Sequence, residues 1–168
     1  MRYRDGGNLH KDFHLATQRT IEYVLANYGE PFLKELFVRT AQRVYREIHR
    51  SLTDGDFEPL VEHWTYYHDR EGSDYEVHRS GDRLEFVVNR CAAVEHLREH
   101  GIEPDDRYFL HIRYLNDGFS EGTPFLITTA VRANGSYTQT VCRRESAAPE
   151  TDSATNTDSA PEAADASQ

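Results

Sequence analysis

Six chemically useful side chains fall within one short stretch, Asn89 to Phe125: Cys91, His96, His100, His111, Arg113 and Asp117. Cys91 stands where a helix is expected to begin. Backbone N–H groups and the helix dipole at such a point stabilise a thiolate, and the neighbouring Arg90 adds positive charge. The sequence therefore predicts a thiol pKa below the free value of about 8.5. With a base supplied through the fold by His96 or His111, Cys91 would be a nucleophile. The alternative is a small apolar residue in a core. Asp117 lies four residues after Arg113 and four before Glu121. A carboxylate placed there can handle protons or bind a cation, although Arg113 and Asp117 also read as an ordinary surface ion pair. His96-Leu97-Arg98-Glu99-His100 matches the H-x-x-E-H pattern of inverted zinc peptidases, with both imidazoles on one helix face. No third ligand is evident in the sequence, so neither a metal nor another cofactor is expected. Upstream, His63 and His68 bracket the aromatic run HWTYYH. Trp64 and Tyr67 in that run line a ligand pocket or belong to the core.

The apolar spacing tells which elements must position these groups. Phe13, Ala16, Ile21, Val24 and Leu25 predict a helix over about 11–27, ended by Tyr28-Gly29. Pro31 opens a second, whose apolar positions from Phe32 to Ile48 carry it to about Arg50. Asp54-Gly55 marks a turn, and Leu60, Val61 and Trp64 define a third helix from Phe57. The period then changes to two. Tyr75 and Val77, then Leu84, Phe86 and Val88 after a Ser80-Gly81-Asp82 turn, predict a hairpin. Two helices follow. One covers about 91–100, with Ala93, Val94 and Leu97 buried and Gly101 as its C-terminal cap. The other starts at Pro104, where Asp105 and Asp106 suit the helix dipole. A second hairpin closes the body: Phe125, Ile127, Thr129 and Val131, a type I′ turn at Asn134-Gly135, then Tyr137, Gln139 and Val141. The order predicts an α+β fold: N-terminal helices, then a four-stranded antiparallel sheet made of two hairpins, with helices packed on one face.

Composition bounds the rest. The 168 residues suffice for one domain with a core. The net charge of −10 comes largely from the end of the chain. Residues 145–168 hold six acids and no Lys or Arg, against 23 acids and 19 bases in the body. Such a tail lacks the apolar content to offset the entropy of ordering it, so it is expected to be disordered. The expected organisation is a loose lead-in over 1–10, one α+β domain over 11–144, and the acidic tail. No apolar run is long enough to span a membrane and no signal core opens the chain. Two cysteines, Cys91 and Cys142, make neither a disulfide framework nor a structural zinc site, which fits a reducing cytoplasm. The acidic balance, without a basic stripe, argues against nucleic acid. The partner left is a small molecule, as substrate or ligand.

The segment RCAAVEHLREHG, the following helix ending NDGFSEG and the strand NGSYTQTVCRR together resemble the L-2-amino-thiazoline-4-carboxylic acid hydrolase family, over about residues 64–143. Cys91 falls on that family's helix-start cysteine, Gly118-Phe119 on its Gly-Phe pair, and Gly135-Ser136-Tyr137 on its final turn. Ala92 stands where that pattern commonly has proline, and His111 and Thr138 stand where cysteines are expected. The resemblance implies opening of a thiazoline ring by water attack at a C=N carbon. Such chemistry takes a base for the water, a proton donor for the ring and a cation for the carboxylate. On this reading Cys91, His111 and Asp117 are catalytic, while Arg113, Trp64 and Tyr67 bind substrate. The alternative is a non-catalytic ligand-binding or sensor domain of the same fold.

Overall fold

The structure, a computed structural model, describes residues 10–144. The expected acidic tail, and all but the last residue of the expected lead-in, lie outside the described residues. Five helices and a four-stranded antiparallel sheet make an α+β fold. Helix α1 (Asp12–Arg43) is bent at Gly29, whose φ of 79° and ψ of 171° interrupt it two residues before Pro31. This is the break the sequence placed between two helices. A second break is new: the segment read as continuous to Arg50 stops at Arg43, and α2 runs separately over Arg46–Thr53. The break turns Tyr45 inward, where its ring packs on His63 and Phe119 at centroid distances of 4.9 and 6.0 Å. Helix α3 (Glu58–Glu71) has Pro59 in its first turn and the Asp56 carboxylate accepting the Glu58 N–H at 2.9 Å. Gly72 closes it in the left-handed region.

Strands β1 (Asp74–Ser80) and β2 (Arg83–Arg90) form the first hairpin, β3 (Phe125–Val131) and β4 (Tyr137–Arg143) the second. The hairpins join through β2 and β4, giving the order β1-β2-β4-β3. Alternation puts Leu84, Phe86 and Val88, Tyr137, Gln139 and Val141, and Phe125 and Ile127 on the buried side. The core forms there, against Leu33, Ile48, Leu52, Leu60 and Leu97 from the helices.

The turn at Asn134-Gly135 is not type I′. That turn needs a positive φ at both central residues, whereas Gly135 has φ 81° and no described non-glycine residue has a positive φ. Instead the Gly135 N–H donates to the Arg132 carbonyl at 2.9 Å and the Arg132 N–H to the Ser136 carbonyl at 2.8 Å. The Asn134 carboxamide oxygen accepts the Ser136 N–H. The result is a three-residue loop with a glycine bulge. It presses on α4 (Ala92–Glu99): a Cβ on Gly135 would stand 2.9 Å from a Val94 methyl.

Helix α5 covers Leu110–Ser120, six residues later than the expected start at Pro104. Asp105 explains the delay. Its carboxylate accepts the Arg107 N–H at 2.9 Å, and successive three-residue turns close from Asp105, Asp106 and Arg107 onto Tyr108, Phe109 and Leu110. A side chain that captures nearby backbone donors competes with the helix for them. Helix α5 then lies against α1 so closely that a Cβ on Gly118 would meet the Val38 carbonyl oxygen at 2.7 Å.

Candidate functional site: an aromatic cavity between helices and sheet

Helices α1, α3 and α5, the start of α4 and strand β4 enclose a cavity of about 410 Å³. Its walls are mainly rings: Trp64 and Tyr67 from α3, Phe109 and Phe119 around α5, and Tyr137 from β4. Four histidines join them, His14, His63, His68 and His111. Among the described residues Glu71 is the one carboxylate in the lining, and no Lys or Arg joins it. Cys91, Asn116 and Gln139 complete the polar set.

The structure brings Cys91, His111, Trp64 and Tyr67 to this one cavity. It does not bring Asp117 or Arg113. Both sit on the outer side of α5, where the Asp117 carboxylate pairs with Lys34 at 2.8 Å and the Arg113 guanidinium binds both Asp106 carboxylate oxygens at 2.7 Å. Helical phase separates them. His111, Ile112, Leu115, Asn116 and Phe119 share the cavity side, and positions 113 and 117 fall on another. The expected Arg113–Asp117 pair is thereby replaced by two pairs to different elements.

Cys91 occupies the N-cap position of α4, as its sequence context indicated. Its thiol nonetheless differs from the expected thiolate. The residue is 8% exposed, and burial pushes the thiol pKa up despite the opposing Ala93 and Val94 N–H groups. Arg90 gives no help, because its guanidinium is held by Glu95 at 2.7 Å and by the Gly72 carbonyl at 2.8 Å.

Three of the histidines, His63, His68 and His111, are held toward the neutral form for the same physical reason. Burial lowers His111 to about 4, against a weaker upward pull from its hydrogen bond to the Tyr108 carbonyl. Burial lowers His63 to about 4 as well, with His68 adding to the shift. His68 is also lowered by burial. Its Nδ1–H donates to the Trp64 carbonyl at 2.7 Å, which leaves Nε2 to accept from the Tyr137 hydroxyl at 2.8 Å. Burial raises the pKa of that hydroxyl well above normal, and the nearby Cys91 thiol adds to the shift. A phenol–imidazole pair thus lies in the cavity wall with Cys91 nearby, and all three groups are held uncharged.

A second polar pair closes one end. His14 Nε2 lies 3.1 Å from a Glu71 carboxylate oxygen, with both side chains more than nine-tenths buried, and the Tyr108 hydroxyl is 3.3 Å from His14 Nδ1. The Asn116 amide, at the other side, is spent on Thr129 and Gln139, each at 2.8 Å. Sequence reasoning missed His14, Glu71 and Tyr137. His14 and Glu71 are 57 residues apart, and each taken alone looks like a helix-surface residue. Tyr137 carried a usable signal, its inward phase on the last strand, but reads there as core.

No protein-family model matches the chain, and no curated protein matches it. Among the described residues no helix is long and apolar enough to cross a membrane.

Proposed function

We propose that the chain binds a small, planar, uncharged molecule in the cavity between α3, α5 and the sheet. One observation carries this reading: the lining is rings and imidazoles, three of them held neutral by burial, with Glu71 already engaged by His14 and no Lys or Arg among the described residues. A cavity of about 410 Å³ suits a one- or two-ring compound. An anionic ligand would be buried without a cation partner, and an unpaired buried charge costs several kcal/mol. Aromatic faces and hydrogen-bonding imidazoles instead favour a flat heterocycle with a few polar atoms.

Hydrolysis of a thiazoline ring is the second reading, supported by the resemblance around Cys91 and by the Tyr137–His68 hydrogen bond in the same cavity wall, which offers a proton donor to a ring heteroatom. Against it stand the missing cation for a ring carboxylate, with Arg113 outside the cavity, and the buried thiol.

The protein carries its own probe. Trp64 is the single tryptophan and lines the cavity. Neutral thiazole- and indole-type compounds should quench its fluorescence saturably. Their carboxylated analogues should bind at least about tenfold more weakly, a difference of about 1.4 kcal/mol. Tighter binding of the carboxylated compounds would refute the neutral-ligand reading. Turnover of 2-amino-thiazoline-4-carboxylate that disappears in Cys91→Ser would establish the hydrolase in its place.

A further inference from the structure

The H-x-x-E-H stretch on α4 is not absorbed by the cavity. His96 and His100 sit four residues apart, with ring centroids 4.3 Å from one another. The sequence offered them no third ligand, but the fold does. The first turn of α1 crosses α4 here, and Asp12 brings its carboxylate to them. One ligand atom each from Asp12, His96 and His100 lies within 4.8 Å of the other two. His96 Nε2 lies 3.7 Å from an Asp12 carboxylate oxygen. Ligands on a tetrahedral zinc ion, with bonds of about 2.0–2.1 Å, stand roughly 3.3 Å apart, so small side-chain rotations close the set.

Two independent features point to a ligand. His96 Nε2 is buried, in a side chain only 11% exposed, and has no hydrogen-bond partner among the described residues. A buried polar atom left in this state is costly, and a bound ion would satisfy it. The second is the tautomer of His100. Its Nδ1 is 2.8 Å from the His96 carbonyl, an acceptor only, so Nδ1 carries the hydrogen. In the neutral ring Nε2 then presents its lone pair. A histidine that ligates a metal through one nitrogen and donates from the other to a backbone carbonyl has this arrangement. Glu99, in the same motif, lies 4.0 Å from the other nitrogen of His96.

We propose that Asp12, His96 and His100 bind one divalent transition-metal ion of the zinc class, fastening the start of α1 onto α4. Two imidazoles and one carboxylate are a donor set for such ions rather than for calcium or magnesium. Three protein ligands leave a fourth position open. The ion's place in the fold gives it a consequence. Phe13 and His14, immediately after Asp12, form part of the cavity wall, and the His14 ring is 6.4 Å from that of His96. The proposal is independent of the identity of the cavity's ligand.

The test is a titration of the full chain, stripped with chelator, with zinc alone, followed by calorimetry and thermal melting. One equivalent should bind and raise the Tm. His100→Gln and Asp12→Asn should each weaken binding at least tenfold. Both side chains are exposed, so the fold is retained, and His100→Cys should restore binding because it returns a ligand. His78→Gln and Cys142→Ser, at surface donors elsewhere, should leave the affinity unchanged. Absence of saturable binding, or an affinity indifferent to His100→Gln and Asp12→Asn, would overturn the site. Equal losses in the two control variants would also overturn it, since they would mark scattered surface coordination.

Discussion

Helices α4 and α5 carry the same residue type to opposite fates. His111 of α5 is enclosed by Tyr108, Phe37 and the cavity, donates to a backbone carbonyl, and is held neutral by burial. His96 and His100 of α4 stand at the edge of the fold, beside the Asp12 carboxylate. What the helix packs on makes the difference. Helix α5 lies between α1 and the sheet, so most of its circumference is covered. Helix α4 buries Ala92, Ala93, Val94 and Leu97 and leaves the next side at the rim. Spacing within a helix states which side chains share a face, whereas chemistry depends on whether that face meets protein, cavity or water.

The largest effect that can break this contrast is acid. For His111 and His63 the folded pKa of about 4 lies below the ordinary value of 6.5. Between those values the unfolded chain binds more protons, so stability is complete above about pH 6.5 and falls as pH drops toward 4. Each histidine then accounts for a loss on the order of 3 kcal/mol. Chemical denaturation at pH 7.5 and 4.5 measures it. His111→Gln should remove its share of the difference, while His14 and Tyr108, the polar groups facing His111, stay in place. A pH dependence unchanged in His111→Gln would mean that the imidazole is solvated and the cavity wall is looser than described.

The seating of the two helices gives the next pair. A Cβ at Gly118 would meet the α1 backbone: the Val38 carbonyl oxygen at 2.7 Å and the Val38 Cα at 2.9 Å. Backbone cannot turn aside, so Gly118→Ala should cost about 3 kcal/mol by overpacking. At Gly135 the obstacle is a Val94 methyl at 2.9 Å, which can rotate, but the φ of 81° disfavours any Cβ. Gly135→Ala should cost about 2 kcal/mol, chiefly from the left-handed backbone. Urea midpoints for the two variants rank them. The reverse order would mean that the α1–α5 contact at Gly118 yields more readily than its spacing indicates.

The sequence made much of this fold legible where the signal was local and periodic. Both hairpins follow from two-residue alternation, the α1 bend from Gly29 and Pro31, and the end of α3 from Gly72. The misread places are those where a side chain or a distant contact decides. Asp105 captured the backbone donors that Pro104 and the dipole argument assigned to a helix. The helix break at 44–45 goes with the packing of Tyr45 on His63 from a different helix. The Asn134-Gly135 turn took its form from contact with α4. The site divides in the same way. Trp64, Tyr67, Cys91 and His111 were recognisable as reactive or aromatic groups on helices with a buried face. The His14–Glu71 pair and the approach of Asp12 to His96 are long-range pairings, and nothing local in the chain announces them. Asp117 and Arg113 were selected by spacing from each other, whereas their role depended on helix phase relative to the core.

The smallest expected effect is therefore at those two residues. The Lys34–Asp117 and Asp106–Arg113 contacts are on the surface, with side-chain exposures of 54% and 45% in the first and 71% and 31% in the second. Exposed ion pairs of this kind contribute about 0.2–1 kcal/mol and are weakened by salt. Asp117→Asn and Arg113→Gln should each shift the urea midpoint by no more than that, with the shift shrinking in high salt. Since neither residue lines the cavity, Trp64 quenching by a neutral heterocycle should be the same in both variants as in the parent chain. The opposite face of the helix supplies the control: Leu115→Phe enlarges a side chain that lines the cavity, adds no second tryptophan, and should abolish quenching while the far-ultraviolet spectrum is retained. If Arg113→Gln instead weakened binding as much as Leu115→Phe does, the guanidinium would have to leave Asp106 and reach the ligand. The two faces of α5 would then act together, and a carboxylated ligand would regain the cation that the cavity lacks.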